Sequence, residues 1–148
     1  MIAGSAINQT YQPLFKGTIH MKAFRIDPLN KKITEVKYNG DYKQIYTHID
    51  ARTFDHATLY ENGDGAYIDD EGLFVENQYF WIHKNYPTPL AGIGLLLGSN
   101  EEGDSTTPKT TIEELIGDVK WVGDRHDVTV SVRFNPGMED FRPLFFTE

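Results

Sequence analysis

The run "PLAGIGLLLG", residues 89–98, narrows the fold more than any other stretch. It is apolar at consecutive rather than alternate positions, so a strand made from it is a central one, buried on both sides. Its glycines mark a place where another backbone comes close. "YPTP" breaks the chain ahead of it and "SNEEGDSTTPK" follows as a polar loop. A ligand-binding loop is the competing reading, and it fails on context. Gly92, Gly94 and Gly98 give G-x-G-x-x-x-G inside the apolar run, and the next helix begins some twelve residues later. A dinucleotide fingerprint needs G-x-G-x-x-G at a strand-to-helix turn, and a P-loop needs Lys-Ser/Thr after its glycines. Glu101, Glu102 and Asp104 beside the run would also repel phosphate. The expectation is a core strand with a solvated exit loop.

The rest of the chain surrounds that strand with short, hairpin-like pieces. "MKAFRI" alternates apolar and polar residues and reads as a strand. "DPLNKK" turns, with Pro28 fixing φ and Asn30 tolerating a left-handed conformation. "ITEVKY" returns. Asp41 caps a short helix over "YKQIYTHI", where Ile45 and Ile49 share one face. "TFDHATLY" and "AYID" are the arms of a hairpin about "ENGDG", whose Asn-Gly suits a tight turn. "LFVENQYFWIHK" reads as a longer strand with a bulge near Asn77. Thr110 or Thr111 opens the clearest helix, "TTIEELIGDV", with Glu113 or Glu114 as its capping-box partner. Its buried face is Ile112, Leu115 and Ile116. "KWVG" and "DVTVSVRF" make two last strands around "GDRHD". No βαβ rhythm and no internal repeat is present. The fold class is α+β, a single domain over residues 21–148 after an N-terminal extension of residues 1–20. It is mainly antiparallel or mixed β-sheet, with about eight strands and two short helices.

The 148 residues include no cysteine, which excludes disulfides, cysteine-ligated zinc and thiol nucleophiles. Nine Phe, eight Tyr and two Trp supply a core and argue against disorder. No apolar run approaches the ~18 residues of a membrane-spanning helix, and the N-terminus lacks the pattern of a secretory signal. The expectation is a soluble, cytoplasmic protein with no membrane partner. Charge is uneven. Residues 61–118 hold two basic and twelve acidic residues, whereas residues 1–60 hold eight and five. Direct nucleic-acid binding needs a basic surface and is not expected. An acidic middle attracts basic protein surfaces, and it also serves solubility.

Two loops concentrate the carboxylates. "NEEGD" gathers Asn100, Glu101, Glu102 and Asp104, and "NGDGAYIDDEG" adds Asn62, Asp64, Asp69, Asp70 and Glu71. Hard cations take such oxygens, but neither loop has the D-x-[DN]-x-[DN]-G-x₅-E spacing, so no metal or other cofactor is assigned. "HID", "DH" and "DRHD" set His48, His56 and His126 beside carboxylates, the pairing used in acid–base work. Neither HExxH nor G-x-S-x-G accompanies them, so no catalytic residue is assigned. In "YFWIHKNYP" one face packs in the core while the other shows Trp81 or Tyr86 to a partner. Core packing of these aromatics is the favoured reading, with display of Trp81 or Tyr86 to a partner as the alternative. The ligand- or partner-binding candidates are therefore Asp69, Asp70, Glu71, Trp81, Tyr86, Glu101, Glu102 and Asp104. Their expected meeting place is the mouth of the exit loop near "DDEG".

"MKAFRIDPLNKKITEV", "YIDDEGLF" and "YPTPLAGIGLLLGSNEEGD" together resemble an uncharacterised family of small acidic domains carried by bacteriophages and other mobile elements. The shared pattern is a leading strand pair, a "DEGL"-type turn, a proline-glycine step and a strand ending in an acidic turn. The resemblance covers roughly residues 21–120. It implies a small accessory protein of a virus that interferes with a host process, and it carries no catalytic residue. The preferred function is non-enzymatic: binding a host protein, or sequestering a small-molecule ligand, through an acidic, loop-rich surface. A small metal- or His/Asp-dependent hydrolase and a self-associating virion component, a homo-oligomer, are the alternatives.

Overall fold

The computed structural model describes residues 20–127. The extension ahead of His20, all but Asp127 of the segment "DVTVSVRF" expected to form a strand, and the aromatic tail lie outside the described residues. In chain order the elements are β1 (Met21–Asp27), β2 (Lys32–Tyr38), α1 (Lys43–Ile49), β3 (Asp55–Thr58) and β4 (Gly65–Ile68). A 3₁₀ turn (Gly72–Phe74), β5 (Tyr79–His83), β6 (Leu90–Ala91), β7 (Gly94–Ser99), β8 (Ser105–Thr106), α2 (Ile112–Asp118) and β9 (Val119–Asp124) follow. The fold is α+β, built mostly of antiparallel strands.

The strands form two sheets. The larger runs β2-β1-β7-β4-β3 with β8 added to β7, and the smaller runs β6-β5-β9. β7 pairs antiparallel with β1 on one side and β4 on the other, so the apolar run does occupy the centre. Its pleat divides the core in two. Leu96 joins Phe24, Ile26, Ala66, Trp81 and Leu115 under the smaller sheet and α2. Leu95 and Leu97 join Ala23, Tyr38, Ile45 and Ile49 under α1. Both faces are covered, which is why the strand carries no polar side chain from Gly94 to Gly98.

The run is not one strand, however. Leu90–Ala91 belongs to the smaller sheet and Gly94–Ser99 to the larger, and the chain crosses between them at Gly92. Gly92 has φ +81°, a conformation that costs a glycine little and an L side chain considerably more. Its carbonyl accepts a hydrogen bond from Trp81 Nε1 at 2.9 Å. At Gly94 a Cβ would stand 2.7 Å from Trp81 Cζ2. These two glycines let the indole lie flat against the strand that leads out of the crossover.

Local signals account for several joins. Asp27 accepts from the backbone N–H groups of Leu29 and Asn30 and from Asn30 Nδ2, tying the first hairpin. The left-handed residue there is Lys31 at φ 55°, not Asn30. Asp41 Oδ1 accepts from Lys43 N–H ahead of α1, and Ile45 and Ile49 are its buried residues. Thr111 and Glu114 form the capping box of α2. Leu115 is buried beneath that helix, but Ile116 is exposed, because a seven-residue helix turns only a narrow stripe to the core.

Two expected features do not form. "ENGDG" closes its hairpin through a six-residue loop, Leu59–Asp64, rather than a two-residue turn. The Asp64 carbonyl accepts from both Leu59 and Tyr60 N–H. "LFVEN" is not strand. It makes the 3₁₀ turn, and regular pairing starts only at Tyr79.

Candidate functional site

The 3₁₀ turn carries the largest exposed apolar group among the described residues. Phe74 is 84% exposed, with Leu73 and Val75 also open to solvent. The turn is held from several directions. Asp69 Oδ1 accepts from Glu71 N–H at 2.9 Å, and the Asp69 carbonyl accepts from Gly72 N–H. Gln78 Nε2 donates to the Gly72 carbonyl at 2.8 Å. Arg125 Nη2, from beyond β9, donates to the Leu73 carbonyl at 2.6 Å. With its backbone bonded inward, the turn points Leu73, Phe74 and Val75 outward as a fixed apolar knob.

Clefts flank the knob. One of about 290 Å³ is lined by Leu73, Asp69, Asp70, Asp55, Tyr86 and Pro89 among others. Another of about 310 Å³ lies between Val75, Leu29, Ile49, Tyr79 and the Arg25–Asp27 pair. A third, shallower one meets Phe74 and Val75 with Asp50, Arg52 and Glu71. Asp69, Asp70, Glu71 and Glu76 supply four carboxylates within eight residues. Arg52 Nη2 reaches Glu71 Oε1 at 3.2 Å, an exposed pair worth under ~1 kcal/mol.

Of the candidates read from the sequence, Asp69, Asp70, Glu71 and Tyr86 are therefore brought together. Glu101, Glu102 and Asp104 are not. They sit on the β7–β8 turn, where Asn100 Oδ1 accepts from Glu102 and Asp104 N–H. β4 and β7 are antiparallel, so the loop after β7 meets the start of β4 while "DDEG" follows its end. The six residues of β7 separate the two clusters, roughly 20 Å at the usual rise. Trp81 is also corrected. It is 0% exposed and anchors the inter-sheet core, because β5 turns this side chain towards β7. The knob itself was missed, since Leu-Phe-Val next to a strand looks like more strand.

A second cluster joins titratable side chains. Tyr60 Oη donates to Asp118 Oδ2 at 2.7 Å, and Lys84 Nζ lies 3.2 Å from Asp118 Oδ1. Burial opposes ionisation of Asp118, but the Tyr60 hydroxyl and Lys84 outweigh it and hold the carboxyl below its ordinary range. Burial, and then the neighbouring carboxylate, raise the Tyr60 hydroxyl well above its own. His83 packs edge-on to Tyr60, with ring centroids 4.8 Å apart. It is 0% exposed, and Nδ1 accepts from Asn85 N–H at 3.0 Å. The neutral ring then carries its proton on Nε2, which has no hydrogen-bond partner in the structure. A sealed imidazole in this tautomer does not meet a substrate. None of the sequence-adjacent His–Asp pairs forms an ion pair, and no three His, Asp or Glu gather as a metal site among the described residues.

His83 gives the molecule a pH dependence. Burial lowers its pKa below 6.5, more than Asp118 raises it. The unfolded chain then binds a proton that the folded chain refuses, so stability falls as pH drops through about 6.5. Denaturant titrations at pH 8, 7, 6 and 5 should show this fall, at most ~1.4 kcal/mol per pH unit for each proton. His83→Leu should reduce it to the part due to His56, whose pKa desolvation also lowers. Asp27 and Asp118 act separately, below about pH 4, because their folded pKa values lie under the ordinary 3.8. An unchanged slope in His83→Leu would rule the assignment out.

No protein-family model, curated protein or solved structure matches this chain.

Proposed function

We propose that this protein is a binding module that captures a partner protein through the Leu73–Phe74–Val75 knob and its acidic rim. The supporting observation is a phenylalanine 84% exposed on a turn whose backbone is bonded from several sides. Soluble chains rarely hold a large apolar group outward on a fixed turn without using it. Burying such a ring in a partner pocket is worth about 1.5–3 kcal/mol, and little ordering entropy is lost because the turn is already set. The rim selects the partner by charge: an apolar pocket or side chain edged with Lys or Arg matches Asp69, Asp70, Glu71 and Glu76. The setting suggested by the sequence, an accessory protein acting on a host component, is part of this proposal.

Selection of a random peptide library on the immobilised protein tests it. Apolar residues flanked by Lys or Arg should be enriched, and raised salt should weaken the selected peptides. Phe74→Asp should abolish the enrichment while shifting stability by less than ~0.5 kcal/mol, since the ring packs against little. Enrichment that is unaffected by Phe74→Asp, or that lacks basic residues, would overturn the reading. Self-association lost in the same variant would assign the surface to a second copy instead of a foreign protein.

A further inference from the structure

The tripeptide Asn-Gly-Asp occurs twice, at residues 39–41 and 62–64. Both copies fold alike locally. Asn39 Oδ1 accepts from Asp41 N–H at 2.8 Å, and Asn62 Oδ1 accepts from Asp64 N–H at 2.9 Å. Each glycine has a positive φ, +90° at Gly40 and +100° at Gly63. Such an Asx turn folds the asparagine side chain back over the next peptide, which brings its Cγ beside the glycine nitrogen. Glycine has no Cβ to obstruct an approach of that nitrogen to Cγ. The hydrogen bond to Oδ1 also supports the oxyanion that such an attack creates.

Tertiary contacts separate the two copies. Asn62 Nδ2 donates to Thr110 Oγ1 at 3.2 Å, and Gly63 N–H donates to the Tyr60 carbonyl at 3.1 Å. There the side-chain amide is held and the glycine nitrogen is engaged. The first copy joins β2 to α1. Among the described residues, Asn39 Nδ2 and Gly40 N–H have no hydrogen-bond partner, and both residues are exposed.

We propose that Asn39–Gly40 is a self-modification site, at which the Gly40 nitrogen displaces the Asn39 side-chain amide. The nitrogen bonds to Cγ and gives its proton to solvent. The Cγ–Nδ2 bond breaks, and the nitrogen takes up a proton and leaves as ammonia. A cyclic imide remains. Water then adds to one of the two imide carbonyls and opens the ring, to aspartate when it adds at Cγ and to isoaspartate when it adds at the main-chain carbon. One water is consumed and one ammonia released. Isoaspartate routes the chain through the side chain, adding one carbon to the backbone and making Oδ1 a main-chain oxygen. This change falls where α1 is seated: Asn39 N–H donates to Gln44 Oε1 at 2.9 Å, and Asp41 Oδ1 accepts from Lys43 N–H at 3.0 Å. The site is separate from the Phe74 knob, and the inference does not rest on that reading.

Peptide mapping by mass spectrometry, after incubation of the full chain at pH 8, tests the assignment. The same chain unfolded in urea is the reference. In the folded chain Asn39 should convert at least tenfold faster than Asn62. In urea the two should convert within about twofold of each other, because the tripeptides are identical. Isoaspartate should be among the products, since direct hydrolysis of the amide gives aspartate alone. Protein purified with isoaspartate at position 39 should show faster amide exchange in α1, with β7 unchanged. Equal rates at the two sites in the folded chain would overturn the proposal. So would aspartate as the sole product, conversion of Asn39 in urea only, or unchanged exchange in α1.

Discussion

Trp81→Ala should cost about 3–5 kcal/mol of unfolding free energy, the usual range for truncating a large buried aromatic. The indole is 0% exposed and touches the centre of the fold from every side. It packs with Phe24, Ala66, Leu90, Leu96 and Leu115, and it donates Nε1–H to the Gly92 carbonyl. Its loss therefore opens a cavity between the sheets and leaves the carbonyl at the crossover without its donor. Urea titration followed by circular dichroism measures the change, with Trp121 remaining as a fluorescent reporter. Trp81→Phe, which keeps an aromatic but loses the hydrogen bond and some volume, should fall between wild type and alanine. A loss below ~1 kcal/mol in the alanine variant would show that the two sheets do not depend on this contact.

Asp64→Ala should cost about 3 kcal/mol for a different reason. Asp64 is 0% exposed and accepts from Lys109 N–H at 3.1 Å and Thr110 N–H at 2.7 Å. Its side chain binds the β3–β4 loop to the residues that lead into α2. Alanine leaves the buried Thr110 N–H without a partner, a penalty of about 1–3 kcal/mol, and also unpairs the half-buried Lys109 N–H. Asn62 Nδ2 also bonds Thr110 Oγ1 at 3.2 Å, so the join does not come fully apart. Amide exchange should therefore accelerate most at Lys109 and Thr110 and less at the centre of β7. Uniform acceleration, or none at these two amides, would contradict the role given to the carboxylate.

Much of the fold was legible because local chemistry and burial agree there. Alternation in "MKAFRI" and "ITEVKY", the capping box of α2, and the unbroken apolar character of "GLLLG" each specify their element without help from distant residues. Two of the errors share a cause. "LFVEN" and "PLAGIG" both look like continuous strand, yet each departs from it where a distant group intervenes. Gln78 and Arg125 take the carbonyls of the 3₁₀ turn, and Trp81 takes the carbonyl of Gly92.

The candidate site follows the same division. Sequence by itself determined that residues 61–118 are acidic, that a buried central strand exists, and that "DDEG" is a turn. Composition and periodicity are properties of short windows, so they survive without knowledge of the fold. Only the tertiary structure decided which carboxylates share a surface. Antiparallel pairing of β4 with β7 sends Glu101, Glu102 and Asp104 to one end of the sheet and Asp69, Asp70 and Glu71 to the other. It also decided that Trp81 turns inward while Phe74, seven residues earlier, turns outward. The ring contacts that link Tyr42, Tyr46, Phe54, Tyr67 and His56 join segments that only sheet pairing and the docking of α1 bring together. Side-chain direction depends on where a strand begins and what covers it, and for these residues both are set by contacts distant in the chain.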